Sequence, residues 1–122
     1  MKIRRVLAFE IPIMKNLALA KLCHDMGVEF TLVDKNNYHK SIGFLCKVVG
    51  ISEKPEEDKN EACGEMLVFA GFNSEDLEFF VSKYKLWNSE SIPLKAMITE
   101  YNVLWSPTFL YSELKKEKAQ RG

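Results

Sequence analysis

Ile92-Pro-Leu-Lys-Ala-Met-Ile-Thr-Glu-Tyr-Asn-Val-Leu-Trp-Ser-Pro-Thr-Phe-Leu110 reads as a strand, a polar loop and the start of a helix. Leu94, Ala96 and Ile98 alternate with Lys95, Met97 and Thr99, the two-residue period of a strand with one strongly apolar face. Pro93 suits the first strand position, where a missing N–H costs little. Ser106-Pro107 is a helix start: the serine oxygen can cap free N–H groups, and proline is pre-set for the first helical residue. Trp105 and Leu110 stand where a hydrophobic staple would form.

Working back toward the N-terminus, Met66 to Phe72 is a short apolar strand, and Asn73-Ser74-Glu75-Asp76 opens a helix with capping and acidic residues. Leu77, Phe80, Val81 and Tyr84 carry the apolar stripe of that helix, and Asn88-Ser89-Glu90-Ser91 is the turn out of it. Earlier still, Ile3 to Ile11 reads as a buried strand. Met14 to Met26 follows as a helix with Met14, Leu17, Ala18, Leu22 and Met26 at helical spacing. Gly27 closes that helix, Glu29 to Val33 is the next strand, residues 34–40 form a polar loop, and Ser41 to Val49 is a short helix ended by Gly50. The last helix is expected from Pro107 to about Lys118, with Lys115, Lys116, Lys118 and Arg121 complementing its dipole. The acidic stretch 52–65 has no apolar period and reads as a linker or surface loop, the interior segment where disorder is expected.

The order strand, helix, strand, helix thus occurs twice. Val33, Asn37, Ser41, Phe44 and Leu45 lie against Ile98, Asn102, Ser106, Phe109 and Leu110 at a constant offset (102 − 37 = 65). Leu7-Ala8-Phe9 also lies against Leu67-Val68-Phe69. The expected fold is a single α/β domain over 1–122. Its halves, 1–51 and 66–122, joined by the acidic linker 52–65, share a four-stranded, mainly parallel sheet flanked by helices and related by a pseudo-two-fold. On this pattern Ser41 and Ser106 are helix caps, and Asn37 and Asn102 are turn residues.

Composition sets bounds. A chain of 122 residues is large enough for one core, and 47% hydrophobic with 28% charged residues is ordinary for a globular domain. Lys+Arg and Asp+Glu balance at 17 each, which argues against a nucleic-acid binder driven by bulk charge. Glu10 and Pro12 interrupt the apolar run after Arg4-Arg5, so no secretory signal is read there, and no run approaches a membrane span. Three cysteines without framework spacing favour a reducing, cytoplasmic setting.

Chemistry is sparsely marked. Cys23-His24, His39, Cys46 and Cys63 match no zinc spacing, and Cys23 and Cys46 fall on faces expected to be buried; no metal or other cofactor is expected. Cys63 is the thiol expected to be most exposed. Ligands of open α/β sheets bind outside the carboxyl ends of strands. That rule selects Lys95, Thr99, Asn102 and Trp105 at the fourth strand, and Asn37 and His39 at the equivalent place in the first half, as candidate ligand-binding residues. No phosphate loop, paired carboxylates, Ser-His-Asp set or Cys-x-x-Cys is present, so no catalytic residue is assigned.

Met66-Leu-Val-Phe-Ala-Gly-Phe72, Ile92-Pro-Leu-Lys-Ala-Met-Ile-Thr99, Asn102, Trp105, Leu110 and Glu113-Leu114 resemble domain-of-unknown-function family 3783, an uncharacterised bacterial family. Gly27, Tyr38 and Ile42-Gly43-Phe44-Leu45 are similar to what precedes that domain in short proteins. Tyr101 to Trp105 departs from the pattern in being more apolar. The resemblance implies a fold and no activity. Two functional expectations follow from the sequence as a whole: a small non-enzymatic binding or regulatory module using the loops after the second and fourth strands, or a small enzyme using Lys95 or a thiol near Thr99 and Asn102. The partner is an unidentified small molecule or protein, with a homo-oligomer as a further candidate and no role expected for membrane or nucleic acid.

Overall fold

A computed structural model describes residues 3–88 and 91–121, so Ser89 and Glu90 of the expected turn lie outside the described residues. The elements are β1 (Arg5–Phe9), α1 (Ile13–Met26), β2 (Glu29–Leu32), α2 (Ile42–Leu45), β3 (Met66–Ala70), α3 (Ser74–Trp87), β4 (Leu94–Met97) and α4 (Pro107–Arg121). A single 3-10 turn, Lys35–Asn37, follows β2.

The sheet order is β2-β1-β3-β4. β1 and β2 are parallel, β3 and β4 are parallel, and the central pair β1–β3 is antiparallel. One sheet therefore holds two β-α-β units facing opposite ways, as a pseudo-two-fold between halves requires. The two central strands are covered on both faces, which explains their continuous apolar sequence. Val6, Ala8, Leu67 and Phe69 form one core with Leu19, Leu22 and Cys23 of α1 and Phe80 and Tyr84 of α3. Leu7, Phe9, Met66, Val68 and Ala70 form the other with Ile42 and Cys46 from the α2 region and Leu110 of α4.

The register corrects one part of the repeat. If Leu7 were the counterpart of Leu67, equivalent residues would sit on opposite faces, because Leu7 belongs to the α2–α4 core and Leu67 to the α1–α3 core. The counterparts are Val6 and Leu67, Leu7 and Val68, Ala8 and Phe69, at an offset of 61 (67 − 6 = 61). The backbone agrees: Val33 N–H donates to the Ala8 carbonyl and Ile98 N–H to the Phe69 carbonyl, both at 2.9 Å. A slip of one residue turns a strand over, so the Leu-x-Phe likeness of the first strands is not their structural alignment. The offset of 65 over the second strands and following helices holds.

Two helices differ in detail from expectation. The inward stripe of α1 is Lys15, Leu19, Leu22 and Cys23, with Met26 packed against it, whereas Met14 and Leu17 are exposed. The apolar spacing of α1 fits two phases, and the one packed on the sheet is the one that buries a lysine. Helix α2 is a single turn, after which the chain continues irregularly to Gly50. The acidic stretch runs over the surface, as expected, but it is tied down between the α2 and α4 N-termini. Ser41 N–H donates to the Glu53 carbonyl, Glu56 N–H to the Leu104 carbonyl and Ser106 N–H to the Glu57 carbonyl, at 2.7, 2.8 and 2.8 Å.

Candidate functional site

The loop after β4 is built from its own polar side chains. Asn102 Oδ1 accepts the Thr99 N–H at 2.8 Å, and Asn102 Nδ2 donates to the Met97 carbonyl at 3.1 Å. Thr99 Oγ1 accepts the N–H groups of Tyr101 and Asn102 at 3.2 Å each. Asn102 is buried and Thr99 exposed. The half-buried Trp105 stacks on Phe109, with ring centroids 4.9 Å apart and planes 8° apart. The ring that Trp105 meets is thus Phe109, one residue before the expected staple partner Leu110, which lies in the same core. Ser106 Oγ accepts the Phe109 N–H at 3.2 Å, as Ser41 Oγ accepts that of Phe44, so both serines are caps.

The loop after β2 is turned by Asp34, with Asn37 taking part through its backbone N–H where Asn102 uses its side chain. Asp34 accepts the Asn36 N–H at 2.8 Å, and Asn37 N–H donates to the Asp34 carbonyl at 2.9 Å. Because β2 and β4 run in opposite directions, their carboxyl ends lie at opposite ends of the sheet. The start of α2, directly after the first loop, nevertheless meets the loop after β4: Ile42 N–H donates to the Trp105 carbonyl at 2.9 Å and Gly43 N–H to the Val103 carbonyl at 2.8 Å. His39 is exposed and close enough to act electrostatically on Asp58. Burial alone would raise the Asp58 carboxyl. Hydrogen bonds from Ser106 and the Lys59 N–H, the nearby Thr108 hydroxyl and the charge of His39 outweigh burial and hold it below the ordinary carboxylate range. The Thr108 hydroxyl has one proton to give, and the Lys59 carbonyl at 2.6 Å is a closer acceptor than Asp58 at 3.2 Å.

Lys95 stands apart from this junction. Its register partner Leu67 belongs to the α1–α3 core, and Lys95 itself is exposed, beside a cavity of about 400 Å³ with Leu77, Glu78, Val81 and Ser82. Trp105 packs against the opposite core. The six candidate residues therefore do not share one pocket.

Residues 65–120 match the family model of a domain of unknown function, DUF3783. No curated protein and no solved structure matches the chain. Lys95, Thr99, Asn102 and Trp105 lie within the DUF3783 segment, and Asn37 and His39 lie before it.

Other polar groups of this molecule were not marked by sequence spacing. Glu10, at the carboxyl end of β1, has φ 54°, and its carboxylate accepts the Tyr38 hydroxyl at 2.8 Å. Burial, reinforced by the hydrogen bond to Glu10, keeps the Tyr38 hydroxyl protonated far above the usual phenol range. Lys15, nine-tenths buried, pairs with Glu65 at 2.8 Å, fifty residues along the chain. An ion pair between distant residues has no local signal; a lysine in the inward phase of α1 was the available clue. Burial pushes the thiols of Cys23, Cys46 and Cys63 up to about 12. Among the described residues no three His, Cys, Asp or Glu side chains gather as a metal site, and no helix is long and apolar enough to cross a membrane.

Proposed function

We propose that this domain is a small binding or regulatory module that meets its partner through the loops after β2 and β4. The observation that carries the reading is the junction between the start of α2, which directly follows the first loop, and the loop after β4. Segments distant in sequence, leaving opposite ends of the sheet, are joined through the backbones of Ile42, Gly43, Val103 and Trp105 and strapped by residues 53–57. Fixing such a surface costs conformational entropy, and a prearranged surface reduces the ordering cost of binding. The state of the reactive groups supports binding without chemistry. Lys95 is exposed, and the three thiols, held protonated by burial at neutral pH, are poor nucleophiles.

A fractionated metabolite pool, added to the full chain, tests the reading. The expected result is a fraction that raises the melting temperature, slows amide exchange in 34–41 or 98–106, and is recovered unchanged by mass spectrometry. Conversion of a component would make the protein an enzyme, and protection confined to other segments would remove these loops from the proposal.

A further inference from the structure

The end of the sheet where β3 and β4 begin carries a cleft that shares no lining residue with the loops above. It has a volume of about 500 Å³. One wall is Lys15 in the first turn of α1, held against Glu65, the residue before β3. The other wall is a stripe of α4 formed by Tyr111, Lys115 and Lys118, whose spacing of four and three residues puts them on one helix face. Leu94 supplies an apolar patch.

Three features make this a prepared cleft rather than a gap. The Lys15 ammonium is fixed by a short charged hydrogen bond from a side chain 10% exposed, so its position is set before anything binds. Tyr111 lies directly on the backbone of Gly64, where any β-carbon would overlap its ring and hydroxyl; glycine there lets the tyrosine flank the cleft. Lys115 sits over the same ring, 5.5 Å from its centroid, which restrains a long side chain at the mouth. The lining counts three lysines against one glutamate, leaving two positive charges in a chain that has no net charge. A further carboxylate, Glu117, lines the adjoining hollow that shares Leu94 and Lys118.

We propose that this cleft binds a small multivalent organic or inorganic anion, with carboxylate or phosphate groups, between Lys15 and the α4 lysines. Lys15 supplies the fixed charge at the wall, Lys115 and Lys118 close on the anion from the mouth, and Tyr111 and Leu94 bear on its carbon skeleton where it has one. The preference for multivalent anions follows from the excess of two positive charges in the lining, of which a single carboxylate matches one.

The test uses citrate and pyrophosphate as probes on the full chain, against sodium chloride at matched ionic strength. The expected result is a rise of roughly 3 °C or more in melting temperature at saturating probe over the chloride control. Calorimetry should show binding weakened about tenfold or more in Lys115→Gln/Lys118→Gln, the loss of two charge-assisted contacts. Both substitutions are at exposed helix positions, so the variant keeps its fold, which its circular dichroism checks. A response to citrate alone assigns the cleft to carboxylates, and one to pyrophosphate alone to phosphates. No rise over chloride with either probe, or an equal rise in the double variant, would overturn the proposal.

Discussion

Glu10 and Gly71 occupy counterpart positions in the two halves (71 − 10 = 61), each directly after a central strand and each with positive φ, 54° and 79°. A left-handed residue at this point turns the chain from the sheet toward its helix. Glycine adopts that conformation freely, whereas a residue with a β-carbon loses about 1–2 kcal/mol. At Gly71 a β-carbon would also come within 2.6 Å of the Ile3 carbonyl oxygen. At Glu10 the strain is offset by the hydrogen bond from Tyr38 and the nearby Lys35 ammonium, 3.8 Å away. Gly71→Ala should therefore cost roughly 2–4 kcal/mol in urea unfolding, the conformational term plus the clash. Glu10→Gly should change stability by less than about 1 kcal/mol, because relief of strain and loss of the hydrogen bond oppose each other. Equal costs at the two sites would refute the equivalence. Gly71 could be read from the sequence as a turn; Glu10 could not, since nothing local announces a glutamate doing a glycine's geometric work.

Among the elements, caps were legible, as was the inward face of α3 with Phe80 and Tyr84, but the face of α1 was not. Ser41, Asn73 and Ser106 cap as their positions suggest, and Asn73 and Asp76 complete a reciprocal capping box. A cap is local chemistry, a side-chain oxygen within reach of an N–H two or three residues on. The buried face of α1 depends instead on how it meets the sheet, and the ordering of 52–58 depends on carbonyls offered by distant loops. Ser41 shows how far a cap can reach, for its hydroxyl also donates to the Ser52 carbonyl at 2.6 Å. Ser41→Ala should destabilise by about 1–2 kcal/mol, as buried cap loss does, and should speed amide exchange across 52–57. Ser106 is equally buried, but its hydroxyl meets Thr108 within its own helix start and Asp58 just past the strap, not a strap carbonyl. Ser106→Ala should cost a similar amount with less effect on 52–57. Unaltered exchange in the strap of the Ser41 variant would show that the backbone contacts alone hold it.

For the whole molecule, the halves are legible as a repeat because each carries the same local order of elements, yet their union is the part that makes a protein. The DUF3783 match spans residues 65–120, which contain β3, α3, β4 and α4. Without residues 1–64 that segment would leave β3 as an edge. Five consecutive fully buried residues would lose the antiparallel partner to which Met66 through Ala70 are now paired. The α4 side would also lose Leu7, Phe9, Ile42 and Cys46, and the α3 side Val6, Ala8, Leu19, Leu22 and Cys23. About sixty residues bury a smaller fraction of their surface than the intact chain, so losing half of two cores removes the margin that offsets chain entropy. A fragment of residues 62–122 should therefore show no cooperative thermal transition by circular dichroism. Adding a fragment of residues 1–61 should restore one, since the central β1–β3 pair supplies the broken interface. A sharp transition in the isolated 62–122 fragment at low concentration would mean that the matched segment is a domain by itself, and that the sheet shared between the halves is an association of two folded units rather than one core.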